Sequence, residues 1–141
     1  MTDTKIPMAD LAARMDAVGE PLLEAIREVV LSGRFILGPE VSALEQEIAS
    51  RCGVAHGIGV SSGTDALLAA MMGLGIGAGD EVITTPMSFF ASVGSILRLG
   101  ATPVFVDIDP ETFNLDPSHV TERITDATKA VEIVHLYGQC G

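Results

Sequence analysis

The stretch GDEVITTPMSFFASVGSILRLGATPVFVDID, residues 79–109, contains the pattern of a strand, a helix and a second strand in that order. Residues 81–85 and 102–107 are short runs rich in β-branched side chains, which is typical of buried strands. Residues 88–99 are predicted to form a helix that Gly100 ends as a C-cap. Because a helix that joins two strands requires parallel pairing and a right-handed crossover, this stretch predicts an α/β fold with a parallel sheet.

The same alternation continues on both sides of this stretch. Residues 55–60 have the pattern of a short buried strand, and the apolar residues 66–72 predict a helix covered on every side. Residues 117–124 predict a further helix, and residues 130–135 predict a fourth strand. We therefore predict a mostly parallel sheet of four strands with flanking helices.

Two helices are predicted before this sheet. Pro21 suits the first turn of the first helix, because apolar residues recur at helical spacing after it. The second helix begins at Pro39 and is stopped by Gly53. The chain thus divides into N-terminal helices, 1–53, and the start of an α/β sheet, 54–141. Because it stops in a loop directly after a strand, we expect an incomplete domain at the front of a longer protein.

The composition excludes several classes of protein. An apolar content of 48% in 141 residues predicts a packed core rather than a disordered chain. Eight basic and nineteen acidic residues give a net charge of −11, which argues against a partner that is a nucleic acid or an anionic membrane. Two cysteines are too few for a disulfide framework, and the N-terminus lacks the pattern of a signal peptide. We expect a cytoplasmic protein that binds small solutes and does not enter a membrane.

The strongest candidate site follows the predicted strand 55–60. There Ser62, Gly63 and Thr64 begin a helix, whose unpaired N–H groups favour an anion such as a phosphate. Gly63 would let the anion approach the backbone, and the two hydroxyl groups would add hydrogen bonds. The alternative is that these residues form a helix N-cap and nothing more. The segment matches neither a Walker loop nor a dinucleotide-binding fingerprint.

A second candidate is the loop at residues 84–91, which leaves the sheet at the same carboxyl edge as the first candidate. Either Phe89 or Phe90 would stack on a planar ring attached to the bound phosphate while the other enters the core. Burial of both rings in the core is the alternative. Asp107 and Asp109 end the third strand, where a carboxylate would bind a ligand, although turn chemistry explains Asp109 as well.

The histidines give no sign of a metal centre. His56, His119 and His135 lie far apart in the sequence and form no metal-ligand spacing, so we predict no metal site. No serine or cysteine occurs in a recognisable nucleophile arrangement with a histidine.

Taken together, five ordered segments resemble the DegT/DnrJ/EryC1/StrS family of pyridoxal-phosphate sugar aminotransferases, which belong to the fold-type I aminotransferases. The resemblance extends along almost the whole chain, and five motifs in the family's order are far more specific than any one of them. The segments are GRFILGPEV at 33–41, VSSGTDAL at 60–67, GDEVITTP at 79–86, PVFVDID at 103–109 and HLYGQ at 135–139.

The resemblance implies a fold, a cofactor and site residues. The chain would be the N-terminal part of the large domain that binds pyridoxal 5′-phosphate. The turn would contact the phosphate, and an aromatic side chain would stack on the ring. The predicted cofactor-binding residues are therefore Ser62, Gly63, Thr64 and Phe89. Arg34 and Phe35 fall in a loop that lies near the active site in the family, so they are candidates for substrate contacts. Surface exposure and packing are the alternative for both.

The resemblance also implies a reaction and its partners. Members of the family transfer an amino group, typically from glutamate, to the keto carbon of a nucleotide-linked deoxysugar, and they act as homodimers. Their Schiff-base lysine and the aspartate at the pyridine nitrogen come after the motif at 135–139. The lysines here are Lys5 and Lys129, neither of which matches the Schiff-base residue. We therefore predict no catalytic residue in this chain and no activity for it alone.

Other hypotheses remain open at this stage. A non-catalytic truncated remnant or a small anion-binding α/β module would retain the phosphate turn. An unrelated nucleotide-binding domain would also place a phosphate at a strand-to-helix turn. Glu132 departs from the family pattern, because it puts a charge in the middle of an apolar strand. A buried carboxylate without a partner is unfavourable, so we expect that strand to pair imperfectly or to be exposed.

Overall fold

The chain divides by its contacts into two units, Met1–Gly59 and Val60–Gly141. The computed structural model describes residues 8–141. The first unit contains helices α1 (Leu11–Ser32) and α2 (Pro39–Cys52). The second contains, in order, α3 (Gly63–Gly73), β1 (Glu81–Thr84), α4 (Ala91–Arg98), β2 (Thr102–Phe105), α5 (Pro117–Arg123), β3 (Thr128–Val131) and a 3₁₀ turn (Leu136–Gly138). The bounds predicted for α2 are confirmed.

Helix α1 begins earlier than the sequence predicted. The carboxylate of Asp10 accepts a hydrogen bond from the Ala13 N–H at 3.0 Å, which caps the helix at its true start. Pro21 therefore lies inside the helix and not in its first turn, so that prediction is wrong. A proline inside a helix removes one backbone hydrogen bond, and the apolar and charged residues on both sides of it are good helix formers. Gly33 ends α1 in the left-handed conformation, with φ of 67°.

Residues 55–60 form no strand, so the prediction of a buried strand there is wrong, and residues 57–59 lie beside α2. The Gly59 N–H donates to the Glu45 carboxylate at 2.7 Å. A Cβ atom at Gly57 would lie 2.5 Å from the Glu45 carbonyl oxygen, so only glycine permits this approach. Ile58 is 82% exposed, although an apolar residue in a buried strand would be covered. These contacts explain why residues 54–59 belong to the first unit.

The second unit is built on a parallel sheet with the strand order β2-β1-β3. Val82 of the central strand is opposite Pro103 on one side and Ala130 on the other. Helix α4 connects β1 to β2, and α5 lies between β2 and β3. The predicted α/β class with a parallel sheet and flanking helices is confirmed, with three strands among the described residues instead of the four predicted.

Strand β1 carries the core of this unit. Val82 and Ile83 are fully buried and point to opposite faces of the sheet, as alternation along a strand requires. Val82 packs on the α3 and α4 side, and Ile83 packs on the other side. The buried partners are Met71, Ile76, Ile96 and Ala101 for Val82, and Val106 and Leu115 for Ile83. Thr84 is also fully buried, and its hydroxyl group has no hydrogen-bond partner among residues 8–141.

Helix α3 is less covered than its apolar sequence predicted. Met71 is buried, whereas Met72 is 61% exposed, so the prediction of a helix covered on every side is wrong for the described part of the chain.

Strand β2 forms one edge of the sheet and contains a proline. The Thr102 N–H donates to the Asp80 carbonyl and the Val106 N–H donates to the Thr84 carbonyl, each at 2.9 Å. Both N–H groups thus point toward β1. Because successive N–H groups alternate in direction along a strand, the nitrogen of Pro103 faces outward, where a missing N–H breaks no bond with β1.

Strand β3 begins and ends earlier than the predicted strand at 130–135. The Glu81 N–H donates to the Ala127 carbonyl at 2.8 Å, which starts the pairing before residue 130. The Glu132 N–H still donates to the Ile83 carbonyl at 2.8 Å, but regular pairing stops at Val131. The Glu132 Oε2 atom is buried and has no hydrogen-bond partner in the part of the chain described. The expected imperfect pairing of this strand is observed as a register shift opposite Glu81 and Val82, and not at the Glu132 N–H itself.

Candidate functional site

The first turn of α3 has two backbone donors without acceptors. Ser62 is the N-cap in extended conformation, and its hydroxyl oxygen accepts the Asp65 N–H at 3.1 Å. The Ser62 carbonyl accepts the Ala66 N–H at 3.0 Å. The N–H groups of Gly63 and Thr64 have no acceptor among the described residues. The predicted cap is thus present and leaves two donors at the positive end of a helix, which is the arrangement that anions favour.

The Asp65 carboxylate accepts the hydrogen bonds that the serine hydroxyl groups of this turn donate. Its Oδ2 atom accepts hydrogen bonds from Ser61 and, at 3.0 Å, from Ser62. The guanidinium of Arg98 lies 3.8 Å from Oδ1. The Ser61 and Ser62 hydrogen bonds, with a smaller contribution from Arg98, hold the pKa of Asp65 below its usual value. Asp65 is therefore a carboxylate at neutral pH and lies beside the free N–H groups.

An open pocket of about 480 Å³ lies between α3 and α4. Phe89 and Phe90 are 78% and 72% exposed, so the predictions that one or both enter the core are wrong. Phe90 lies over Gly94, where a Cβ atom would come within 3.0 Å of the Phe90 ring. The pocket is lined by Thr64, Phe89, Phe90, Ala91, Gly94, Leu97 and Arg98. The structure thus places Thr64 and Phe89, one residue from each of the two predicted candidate segments, in one pocket.

Arg34 and Phe35 lie in the first unit, in the loop between α1 and α2. The Arg34 N–H donates to the Ser32 hydroxyl at 3.1 Å. Phe35 is 66% exposed and lines an apolar groove of about 340 Å³ together with Ile26 and Val29 of α1. Phe35 therefore packs beside apolar side chains of the first unit, in agreement with the packing alternative for this residue.

The two carboxylates that follow β2 accept hydrogen bonds from nearby backbone N–H groups. The Asp109 Oδ1 atom accepts the N–H groups of Glu111 at 2.9 Å and Thr112 at 2.8 Å, and the Asp107 Oδ1 atom accepts the Ile108 N–H at 2.8 Å. Turn chemistry therefore accounts for Asp109. Residues 8–141 contain no group of three or more His, Cys, Asp or Glu side chains that would hold a metal ion.

The sequence analysis missed Asp65 and Arg98 as members of this site. The local signal for Asp65 was present, because an acidic residue three positions after a serine N-cap is a capping pattern. Arg98 had no such signal, because its approach to Asp65 depends on how α3 and α4 pack.

Stability at acid pH depends on three aspartates, Asp65, Asp109 and Asp116, whose pKa is lowered by hydrogen bonds to the carboxylate. An ordinary unfolded aspartate has a pKa of about 3.9. Because the folded-state pKa is lower, each group stabilises the fold above about pH 4, and this contribution is lost as the pH falls through the folded-state pKa. We expect the urea concentration at the unfolding midpoint to decrease when the pH is lowered below 4. An unchanged midpoint from pH 7 to 3 would contradict this, and Asp109→Asn should make the dependence shallower.

The described residues contain no helix that is both long enough and apolar enough to span a bilayer.

Comparison with known proteins identifies related sequences. The chain is 50% identical over 134 residues to a pleiotropic regulatory protein of Geobacillus stearothermophilus, covering 95% of this chain and 36% of that protein. It is 45% identical over 136 residues to UDP-N-acetyl-3-dehydro-alpha-D-glucosamine 3-aminotransferase of Acidithiobacillus ferrooxidans, covering 96% of this chain and 37% of that protein. The chain therefore spans little more than a third of the length of these curated relatives.

A solved structure and a family model agree with these relatives. The crystal structure of ntda from Bacillus subtilis with bound cofactor PMP superposes with a TM-score of 0.88 at 34% identity, covering 100% of this chain and 33% of that chain. The model of the DegT/DnrJ/EryC1/StrS aminotransferase family matches residues 16–141. With a match over most of its length, and with a parallel sheet flanked by helices in place, this chain belongs to the DegT/DnrJ/EryC1/StrS aminotransferase family.

Proposed function

We propose that this chain supplies the phosphate- and ring-binding part of a pyridoxal-phosphate aminotransferase that acts on a nucleotide-linked keto-sugar. The observation that carries the proposal is the pocket in which Thr64 and Phe89 meet, beside two free backbone N–H groups. The cofactor is supported by the ntda structure, and the substrate class by the name of the Acidithiobacillus relative. The net charge of −11 favours this proposal over a regulator that binds DNA directly.

The residues present fit the phosphate and the ring of this cofactor. The N–H groups of Gly63 and Thr64 would bind the phosphate oxygens. A Cβ atom at Gly63 would meet nothing within 4 Å, so the space in front of this turn is open. Phe89 is exposed and available to stack on the pyridine ring. Ser62, the other predicted phosphate ligand, donates its hydroxyl hydrogen to Asp65 and would act by fixing the turn.

A pyridoxal phosphate bound by these residues would supply the chemistry for moving an amino group from the donor to the ketone of the acceptor. The residues of this chain bind and orient. Gly63 and Thr64 hold the phosphate, Phe89 covers one face of the ring, and the apolar lining of the pocket limits the access of water to that face. We propose substrate contacts for Arg34 and Phe35. For these contacts, for glutamate as donor and for a homodimer, the support is the family resemblance. We propose a cytoplasmic location because two cysteines are too few for a disulfide framework.

The binding of pyridoxamine phosphate tests this proposal. This form has no aldehyde to react with Lys129, so calorimetry would report the pocket alone. We expect the chain to bind it more tightly than pyridoxamine without the phosphate. Phe89→Ala should weaken binding about three- to tenfold, because it removes a ring stack, whereas Phe89→Tyr should bind normally. Failure of the wild-type chain to bind pyridoxamine phosphate would overturn the proposal, and unchanged binding by Phe89→Ala would place the ring elsewhere.

Catalysis by residues 1–141 alone is not expected. The lysines of this chain are Lys5, which lies outside the described residues, and Lys129 on β3, and neither resembles the Schiff-base lysine of the family. We expect no amino-sugar product when the polypeptide is mixed with pyridoxal phosphate, glutamate and a UDP-linked 3-keto-sugar. Mass spectrometry of the nucleotide-sugar pool provides the measurement, and the formation of product would contradict this expectation.

A further inference from the structure

The turn proposed to bind phosphate already holds a negative charge. Asp65 accepts the hydroxyl hydrogens of both Ser61 and Ser62, and it lies in the same first turn of α3 as the free N–H groups of Gly63 and Thr64. A phosphate bound at those N–H groups would therefore lie close to a carboxylate. Two anions at short distance repel each other, so the turn needs a compensating cation.

Arg98 provides that cation. Its Nη1 atom is 3.8 Å from the Asp65 Oδ1 atom, and its side chain lines the same pocket as Thr64 and Phe89. No other Lys, Arg or His lines this pocket within the described part of the chain.

The position of Arg98 is set by the packing of α4 on α3. The fully buried Ser95 lies one turn before Arg98 on the same face of α4. Its hydroxyl donates to the Ala91 carbonyl at 2.7 Å and lies 3.4 Å from the Thr64 carbonyl of α3. The helix that carries Arg98 is thus fixed beside the turn that carries Asp65.

We infer that Arg98 is a positioning residue of the phosphate site, whose guanidinium neutralises Asp65 so that the turn accepts a phosphate dianion. This inference rests on the proposed function. With both side chains charged, the guanidinium offsets the carboxylate, and the helix N-terminus attracts the anion. Without Arg98, the Asp65 carboxylate opposes the anion.

The affinity for pyridoxamine phosphate and for inorganic phosphate tests the inference by a double-mutant cycle. Arg98→Met keeps an unbranched apolar stem, although a shorter side chain, and removes the charge, so we expect binding to weaken about three- to tenfold, a change that added salt reduces. Asp65→Asn keeps an oxygen acceptor for the serine hydroxyls and leaves the Arg98 charge unopposed, so it should strengthen binding. The double variant should bind like the wild type. Arg98→Lys should preserve affinity, and Arg123→Met on α5 is the matched control for loss of one arginine.

The outcomes separate this inference from the proposed function. Failure of the wild-type chain to bind either ligand overturns the proposed function and this role with it. Wild-type binding with an unchanged affinity of Arg98→Met overturns this inference alone. A double variant as weak as Arg98→Met also overturns it, because Arg98 would then act on the phosphate directly. NMR titration of the Asp65 carboxyl gives a readout without ligand: its pKa should be higher in Arg98→Met, and an unchanged pKa would show that the pair is not coupled.

Discussion

Replacing Ile83 with alanine is expected to destabilise the unit Val60–Gly141 by about 2–5 kcal/mol. Ile83 is fully buried in the central strand and packs against Val106 and Leu115. The truncation removes buried methyl groups and leaves a cavity that the neighbouring side chains would have to fill. Because small domains are stable by only about 5–15 kcal/mol in total, this loss would leave much of the unit unfolded at mild urea concentrations. Urea unfolding followed by circular dichroism measures the change.

Thr84 offers a matched control in the same strand. It is as buried as Ile83, but its hydroxyl group has no partner among the described residues. Thr84→Val keeps the shape and removes that hydroxyl, so we expect unchanged stability or a gain of up to about 1–2 kcal/mol. If Thr84→Val cost as much as Ile83→Ala, the sensitivity of β1 would reflect strand position rather than packing, and the assignment of the core to Ile83 would be wrong.

Replacing Glu132 with valine is expected to stabilise the same unit by about 1–2 kcal/mol. The Glu132 Oε2 atom is buried and lacks a hydrogen-bond partner in the described residues, while the Glu132 N–H bonds to the Ile83 carbonyl. Valine would keep that backbone bond, remove the unpaired carboxylate and extend the run of β-branched residues after Val131. The measurement is the urea midpoint at pH 7, compared with the wild type.

Two further variants separate the causes of this gain. Glu132→Gln removes the charge but keeps a polar group, so its stability should lie between those of the wild type and Glu132→Val. Lys129→Val adds a β-branched residue at an exposed position of the same strand, and it should give a smaller gain than Glu132→Val. A loss of stability in Glu132→Val would mean that the carboxylate does have a partner, which would contradict our account of this strand.

The α/β class was predictable because β-branched runs and helical spacing alternate from residue 79 onward. Helix α2 was equally clear, because Pro39 and Gly53 mark its ends chemically. The apolar run at 55–60 shows where such patterns fail. Hydrophobicity predicts burial, whereas a strand also needs a neighbour at hydrogen-bonding distance, and here the close contact is between Gly57 and the backbone of α2.

The prediction of where α1 begins was wrong for a different reason. Pro21 is compatible with both the first turn and the interior of a helix, and the sequence analysis chose the commoner position. The deciding contact is the cap formed by Asp10, eleven positions earlier, which a search for apolar spacing does not detect.

The candidate site was predictable in part, even though the strand expected before Ser62 is absent from the structure. Thr64 and Phe89 both follow apolar segments, and the structure places them in one pocket. The burial predicted for one or both of Phe89 and Phe90 was wrong, because aromatic character alone does not distinguish a core residue from one that lines an open pocket. The pair of Asp65 and Arg98 was out of reach, because it depends on the approach of two helices.

The proline in β2 makes the two edges of the sheet unequal in their capacity to pair with an additional strand. The nitrogen of Pro103 faces away from β1, so the outer edge of β2 offers an added strand one donor fewer. On β3 the Glu132 N–H points toward β1, and by alternation the Val131 N–H points outward. An added strand would therefore form more backbone hydrogen bonds with β3 than with β2, and a fusion designed to widen the sheet should be attached beside β3.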